Sequence, residues 1–303
     1  MLKYYLTAAA LKGASCCSTT RKAYRFWGNT FGQRQRRNQP MPFYYLERVK
    51  RNVSLCAKYD LLKPGDQLLE LGTGWVHWEA LTLRLFFEFQ ATLYDVWDNR
   101  QFDALKIYIR QLGSALKQKK IQIPGDVPKA LRTAEQICRL ATFDQLYDLM
   151  GFKYVLDPVG ELKGLPDEAF AIVISAGVLE HVHVDSIGNC LTGMTRTLKP
   201  GGHGIHSINI TDHLYLYDRR ASPKQYLRYS ERMWKTFFEN QIQYINRLQR
   251  SEWLSMFSKA GMNLLSEDGD YRALDELPVH KRYRGFDQKD LECLTLDIFV
   301  QKR

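Results

Sequence analysis

Leu68-Leu69-Glu70-Leu71-Gly72-Thr73-Gly74-Trp75 is an apolar run that ends in an acid and a Gly-x-Gly turn. A short apolar run bounded by glycines reads as a buried strand, and the turn after it reads as the opening of a helix. Glycine is needed there because a Cβ would keep the backbone away from a ligand, while a helix start offers N–H groups to a carboxylate or phosphate. Alone, Gly-x-Gly is a weak signal and fits a plain tight turn. Two acids sharpen it: Glu70 stands two residues before the first glycine, and Asp95 ends the next apolar run, Leu93-Tyr94-Asp95-Val96, 21 residues after Gly74. An acid at that strand end can accept both hydroxyls of a ribose. A dinucleotide fingerprint wants a third glycine three residues beyond Gly74, where this chain has His77, so nicotinamide binding is set aside.

Outward from this stretch, strand-like and helix-like patterns alternate to the C-terminus, the rhythm of a parallel sheet covered by helices. Seven strands are expected, over Gln67 to Leu71, Ala91 to Val96, Lys153 to Leu156, Ala171 to Ser175, His203 to Asn209, Met262 to Ser266 and Leu294 to Gln301. Residues 97–152, rich in Lys, Arg and Leu, read as a helical insertion, and residues 211–250, rich in Tyr and Arg, as a cap. Asp126 before Pro128 suggests a helix start, and Ser251 and Gly261 suggest the cap and stop of another helix.

The 303 residues, 45% hydrophobic, can fill one large α/β domain with additions. The net charge of +10 is local, since residues 1–63 carry 13 Lys/Arg against Glu47 and Asp60, leaving 30 bases against 31 acids elsewhere. That distribution argues against a polybasic face tracking nucleic acid. It predicts instead a basic N-terminal arm over 1–63, packed on the 64–303 domain or lying on an anionic membrane surface, with an organellar leader as a weaker reading. Six cysteines without a CxxC pair suggest neither a zinc site nor a disulfide framework, and imply a reducing, cytoplasmic compartment with peripheral attachment to the inner membrane face as an option. No apolar run reaches the roughly 18 residues of a membrane-spanning helix.

Taken together, the Glu-x-Gly-x-Gly turn, Asp95, Asp157 after the third strand, Gly177-Val178-Leu179-Glu180-His181-Val182 after the fourth and Leu198-Lys199-Pro200-Gly201-Gly202 before the fifth resemble the class I S-adenosylmethionine-dependent methyltransferases. The resemblance covers about residues 66–303. It implies a Rossmann-like, seven-stranded, mostly parallel sheet with helices on both faces, a helical insertion after strand two and a helical cap between strands five and six. It also implies S-adenosylmethionine as cofactor, with Glu70, Gly72, Thr73, Gly74 and Trp75 at the methionine end, Asp95 and Val96 at the ribose, Asp157 at the adenine side, and Ser175, Ala176 and Gly177 lining the cleft. Val76 replaces a third glycine, Ala171 replaces a usual Phe-Asp pair, and the path from Asp95 to strand three is long, so the adenine side and the entrance are expected to differ.

Methyl transfer needs an aligned acceptor and, for a hydroxyl, a proton acceptor; no metal is obligatory. Residues after strands four and five should look onto the methyl group. His213, beside Asp212, is the candidate base, and His181 the alternative. His181 and His183 have no ligand set nearby in sequence, so no metal site is expected. Asp212-His213-Leu214, Tyr226 to Ser230 and Asn246-Arg247-Leu248 further resemble bacterial tailoring methyltransferases of surface polysaccharides or small metabolites. Tyr215, Tyr229, Asn246 and Arg247 are accordingly candidate contacts to a small hydroxylated acceptor, a sugar among the options, although an amphipathic cap explains the same residues. The competing functions are a tRNA or protein methyltransferase and a catalytically silent, membrane-associated protein that keeps the fold.

Overall fold

The computed structural model describes residues 1–274 and 277–303. In chain order the elements are α1 (Leu2–Ala14), α2 (Ser18–Asn38), α3 (Phe43–Tyr59), β1 (Gln67–Leu71), α4 (Trp78–Arg84), β2 (Gln90–Asp95), α5 (Phe102–Lys117), α6 (Val127–Arg139), α7 (Phe143–Met150), β3 (Phe152–Leu156) and β4 (Phe170–Ala176). They continue with α8 (Ile187–Thr197), β5 (Leu198–Asn209), α9 (Glu231–Phe237), α10 (Arg250–Lys259), β6 (Met262–Tyr271), α11 (Gln288–Glu292) and β7 (Cys293–Lys302). The strands lie in the order β3-β2-β1-β4-β5-β7-β6, and the pairs β1–β2, β1–β4 and β2–β3 are parallel. This is the Rossmann-like sheet that the spacing predicts, with three helices filling the insertion. No described helix is long and apolar enough to cross a membrane.

By compactness the chain divides into two units, one of residues 29–176, 193–205 and 301–303, the other of residues 1–28, 177–192 and 206–300. The first holds β1 to β4. Leu68 and Leu69 of β1 are fully buried, paired with Ala91 and Thr92 of β2 on one side and with Ile172 and Val173 of β4 on the other. Helix α3 buries Val49, Val53 and Cys56 and is tied to α4 by a buried polar network: Asn52 Nδ2 donates to Glu79 Oε2 at 2.7 Å, and Arg48 pairs with Glu79 at 3.0 Å. Asp126 caps α6 by accepting from the Lys129 amide, as its position before Pro128 predicts. Strand β5 begins at Leu198, five residues earlier than expected from the pattern. Gly202 permits this, since a Cβ there would stand 3.2 Å from the Ala171 carbonyl and 2.9 Å from that of Lys199.

The second unit has its own core. Tyr4, Ala8 and Leu11 of α1 pack with Leu214, Tyr226, Leu227, Tyr229, Trp234, Phe238 and Tyr283 from the cap and beyond. The stretch expected to form one basic arm is therefore divided: α1 belongs to the cap's core, and α3 to the sheet-bearing unit. The Tyr4 hydroxyl, fully buried, donates to Asp212 Oδ2 at 2.6 Å. Tyr4→Phe strands that acceptor and is expected to lower stability by about 1 to 3 kcal/mol, read as a shifted denaturant midpoint. An unchanged midpoint would mean that the contact adds nothing to α1 docking.

Helix α10 corrects an expectation. Its cap is Gln249, one residue before Arg250, completed by Glu252 Oε2 accepting from the Gln249 amide at 2.8 Å. Ser251, the expected cap, instead gives its hydroxyl to Asp290 at 2.6 Å. A serine two places inside the first turn can reach a neighbouring carboxylate, and the capping box is then closed by the Gln249 and Glu252 pair.

Candidate active site

The Gly72 to His77 turn leaves β1 with Gly72 and Gly74 in the left-handed region, at φ 65° and 58°. Around Gly74 the space is open, the nearest atom to an added Cβ being the Gly72 carbonyl at 3.9 Å. Asp95, at the end of β2, closes the turn from beside it: its Oδ2 accepts the Gly74 N–H at 2.8 Å, and its Oδ1 accepts those of Val96 at 2.7 Å and Trp97 at 3.2 Å. Burial raises the Asp95 pKa above the usual aspartate value, against the pull of these N–H groups. A carboxylate has about four acceptor positions, so three bonds leave room for a ligand donor. The Thr73 hydroxyl is buried and has no hydrogen-bond partner.

Glu70 sits one layer deeper. Its Oε2 accepts the Ala80 N–H at 2.7 Å, anchoring α4 under the turn, and burial followed by the nearby Glu79 charge pushes its carboxyl up to about 8. The helix does not open directly at Gly74, because His77 intervenes at φ 48° and α4 starts at Trp78. His77 is buried among Phe143, Tyr147 and Tyr154, with Nε2 2.9 Å from the Tyr147 hydroxyl, and burial pushes its imidazole down to about 3. The insertion, with Tyr154 of β3, thus braces the turn at the position where a dinucleotide fingerprint has its third glycine. Trp75 is covered from α2, with the Arg36 guanidinium 3.4 Å from the ring centroid and the Asn29 side chain accepting from the indole at 3.3 Å. Sequence reasoning missed Arg36 and Asn29, since nothing local links them to the turn, and read His77 only as an absent glycine.

Asp157 follows β3, its carboxylate engaged by the Tyr94 hydroxyl and, at 3.0 Å, by the Val159 amide. Ser175 is buried at the end of β4 in register with Leu71, Ala176 is the last residue of that strand, and Gly177 follows at φ 68°.

In the cap-bearing unit, Leu179–His181 form a single 3-10 turn after β4, and His213–Leu216 form another after β5. Asn246 fixes the first: its amide donates to the Glu180 carbonyl at 2.9 Å, and its side chain to the carbonyls of Leu179 at 2.9 Å and Val182 at 3.2 Å. His181 Nδ1 lies 2.7 Å from the Tyr244 carbonyl, which makes that nitrogen the donor and leaves the Nε2 lone pair free to act. The His181 and His213 rings are 4.9 Å apart, and Glu180 is buried beside them. Burial, then His181, pushes the His213 imidazole down to about 3, so that it stays neutral.

A family described as Methyltransferase domain matches residues 34–267. The chain belongs to that family. It is a class I methyltransferase, and its cofactor is S-adenosylmethionine. No curated protein matches it. Among solved structures the methyltransferase is similar to 1,6-didemethyltoxoflavin-N1-methyltransferase of Burkholderia thailandensis, at 15% identity over 84% of this chain and 78% of that one, with a TM-score of 0.45. It is also similar to phosphoethanolamine N-methyltransferase 2 of Haemonchus contortus, at 14% over 83% and 52% with a TM-score of 0.45, and to an S-adenosylmethionine-dependent methyltransferase of Methanosarcina mazei, at 13% over 81% and 96% with a TM-score of 0.42.

The turn of this methyltransferase fits its cofactor. An open Gly74, an unpartnered Thr73 hydroxyl and the Asp95 carboxylate are what a ligand with an amino acid end and a ribose requires. Several expected acceptor contacts are otherwise engaged. Asp212 does not orient His213: its carboxylate takes the Tyr4 hydroxyl and the Leu214 amide, because neighbours in a turn point apart. Tyr229 stacks on Phe238 and meets the Tyr5 hydroxyl, Asn246 clamps the Leu179 turn, and Arg247 is held by Glu231 and Tyr283. Tyr215, half-buried, accepts from Arg272 at 3.2 Å. The amphipathic-cap explanation therefore accounts for most of that set.

Proposed function

We propose that this methyltransferase acts on the oxygen of a small hydroxylated acceptor. The observation that carries the reading is the pair of imidazoles, His181 just past β4 and His213 just past β5, at the carboxyl ends of strands where ligands gather in this topology. The cofactor supplies an electrophilic methyl group on sulfur. The chain's own residues then hold the acceptor in line, exclude water and take one proton. His181 suits the last task, since the Tyr244 carbonyl fixes its tautomer and leaves Nε2 as acceptor. A neutral amine needs no such base, which favours oxygen over nitrogen.

A saccharide has no special support, because Tyr229, Asn246 and Arg247 serve the cap itself. Nucleic acid is disfavoured by the balance of 30 bases and 31 acids beyond residue 63. Membrane attachment through residues 1–63 has no support either, and Tyr4, Ala8 and Leu11 of α1 are spent on the cap. The test is methyl-labelled cofactor offered to matched panels of small alcohols, phenols, sugars and amines. Label entering only hydroxyl compounds is the expected result, and label entering only amines would overturn the reading.

A further inference from the structure

We propose that Glu180, His181 and His213 bind one divalent transition-metal ion of the zinc type, with a coordination position left for an oxygen of the acceptor. The inference deepens the reading above and rests on it, because it makes this cluster the acceptor's anchoring point. One ligand atom from each of the three residues lies within 4.8 Å of the other two. Tetrahedral zinc at about 2.0 to 2.1 Å from nitrogen and oxygen places its ligands roughly 3.3 Å apart, so small side-chain rotations close the set. Two imidazoles and one carboxylate suit zinc, cobalt or iron(II) better than magnesium or calcium, which prefer oxygen.

Three further features point the same way. The Tyr244 carbonyl holds His181 Nδ1 at 2.7 Å, the outer contact that turns a histidine's other nitrogen towards a metal. His213 Nε2 is buried and has no hydrogen-bond partner, a costly state that an ion relieves. Both ligand-bearing turns are fixed at the backbone, one by Asn246 and the other by the Asp212 cap on the Leu214 amide. With an ion in place the two imidazoles serve as ligands. Coordination then replaces the proton-accepting role of His181: the acceptor hydroxyl gives its proton to solvent on binding the ion, and its oxygen bonds to the methyl carbon as the carbon–sulfur bond of the cofactor breaks, with S-adenosylhomocysteine as the leaving group.

The experiment uses the full chain freed of metal with a chelator and titrated with Co²⁺, whose visible absorption reports geometry. The expected result is one saturable equivalent with the intense bands of a low-coordinate site, weakened at least 10-fold in Glu180→Gln and in His213→Ala. His183→Ala, which alters an exposed imidazole stacked on Tyr244, should titrate as the wild type does. Glu180→Gln preserves volume, and metal-free thermal unfolding checks that each variant folds. No saturation below millimolar Co²⁺, or equal binding in all variants, would overturn the proposal. Calorimetry of S-adenosylhomocysteine on the same samples separates the two levels: cofactor binding without Co²⁺ binding removes the metal alone, and loss of both removes the methyltransferase reading with it.

Discussion

Asp95→Ala is expected to weaken S-adenosylmethionine binding by about 1.5 to 3 kcal/mol, or roughly 10- to 150-fold, in a variant that still folds. The estimate follows from the loss of a charged acceptor for ribose hydroxyls, to which the released Gly74, Val96 and Trp97 amides add. Asp95→Asn keeps the shape and a carbonyl acceptor, so its loss should be smaller and should separate ligand contact from turn support. Titration calorimetry decides between them. An Asp95→Ala protein with wild-type affinity would show that the acid only organises the turn.

The second large effect concerns the proton. His181→Ala should cost about 10²- to 10⁴-fold in turnover of a hydroxylated acceptor, while cofactor affinity stays near wild type. His213→Ala should cost less in the metal-free protein, because burial and the neighbouring ring hold its imidazole down at about 3, a weak base for a hydroxyl proton. Rates of S-adenosylhomocysteine release measure both. A larger loss from His213 would return the role to that residue, and full activity in both variants would mean that the acceptor loses its proton without help.

The sheet was legible because its signals are local. β1 coincides with the expected Gln67 to Leu71, and the turn, Asp95 and the carboxyl end of β4 stand where spacing puts them. What escaped depends on distant partners. Gly202 lengthens β5 by letting two carbonyls approach, a fact that no run of residues near it announces. His77 reads as a missing glycine until the aromatic side chains of Phe143, Tyr147 and Tyr154 close over it. Tyr and Arg density in the cap suggested a sugar, yet Arg247 and Tyr229 face inward to one another's neighbours, since amphipathic packing and ligand stacking draw on the same side chains. The topology already put Glu180, His181 and His213 past the ends of strands four and five, but the approach of their side chains to ligand distance was not visible, since 32 positions separate His181 from His213.

The link between Tyr4 and Asp212 spans 208 positions, and it sets the order of events during synthesis. Helix α1 leaves the ribosome well before its partners Leu214, Tyr226, Trp234 and Phe238, which are made some 200 residues later. At about 5 to 20 residues per second, Tyr4, Ala8 and Leu11 remain uncovered for roughly ten to forty seconds. Contacts of such long range also slow folding after release. Until those partners emerge the nascent chain therefore presents an apolar helical face, which makes α1 a segment that a holding chaperone would meet and one on which premature association between chains would begin.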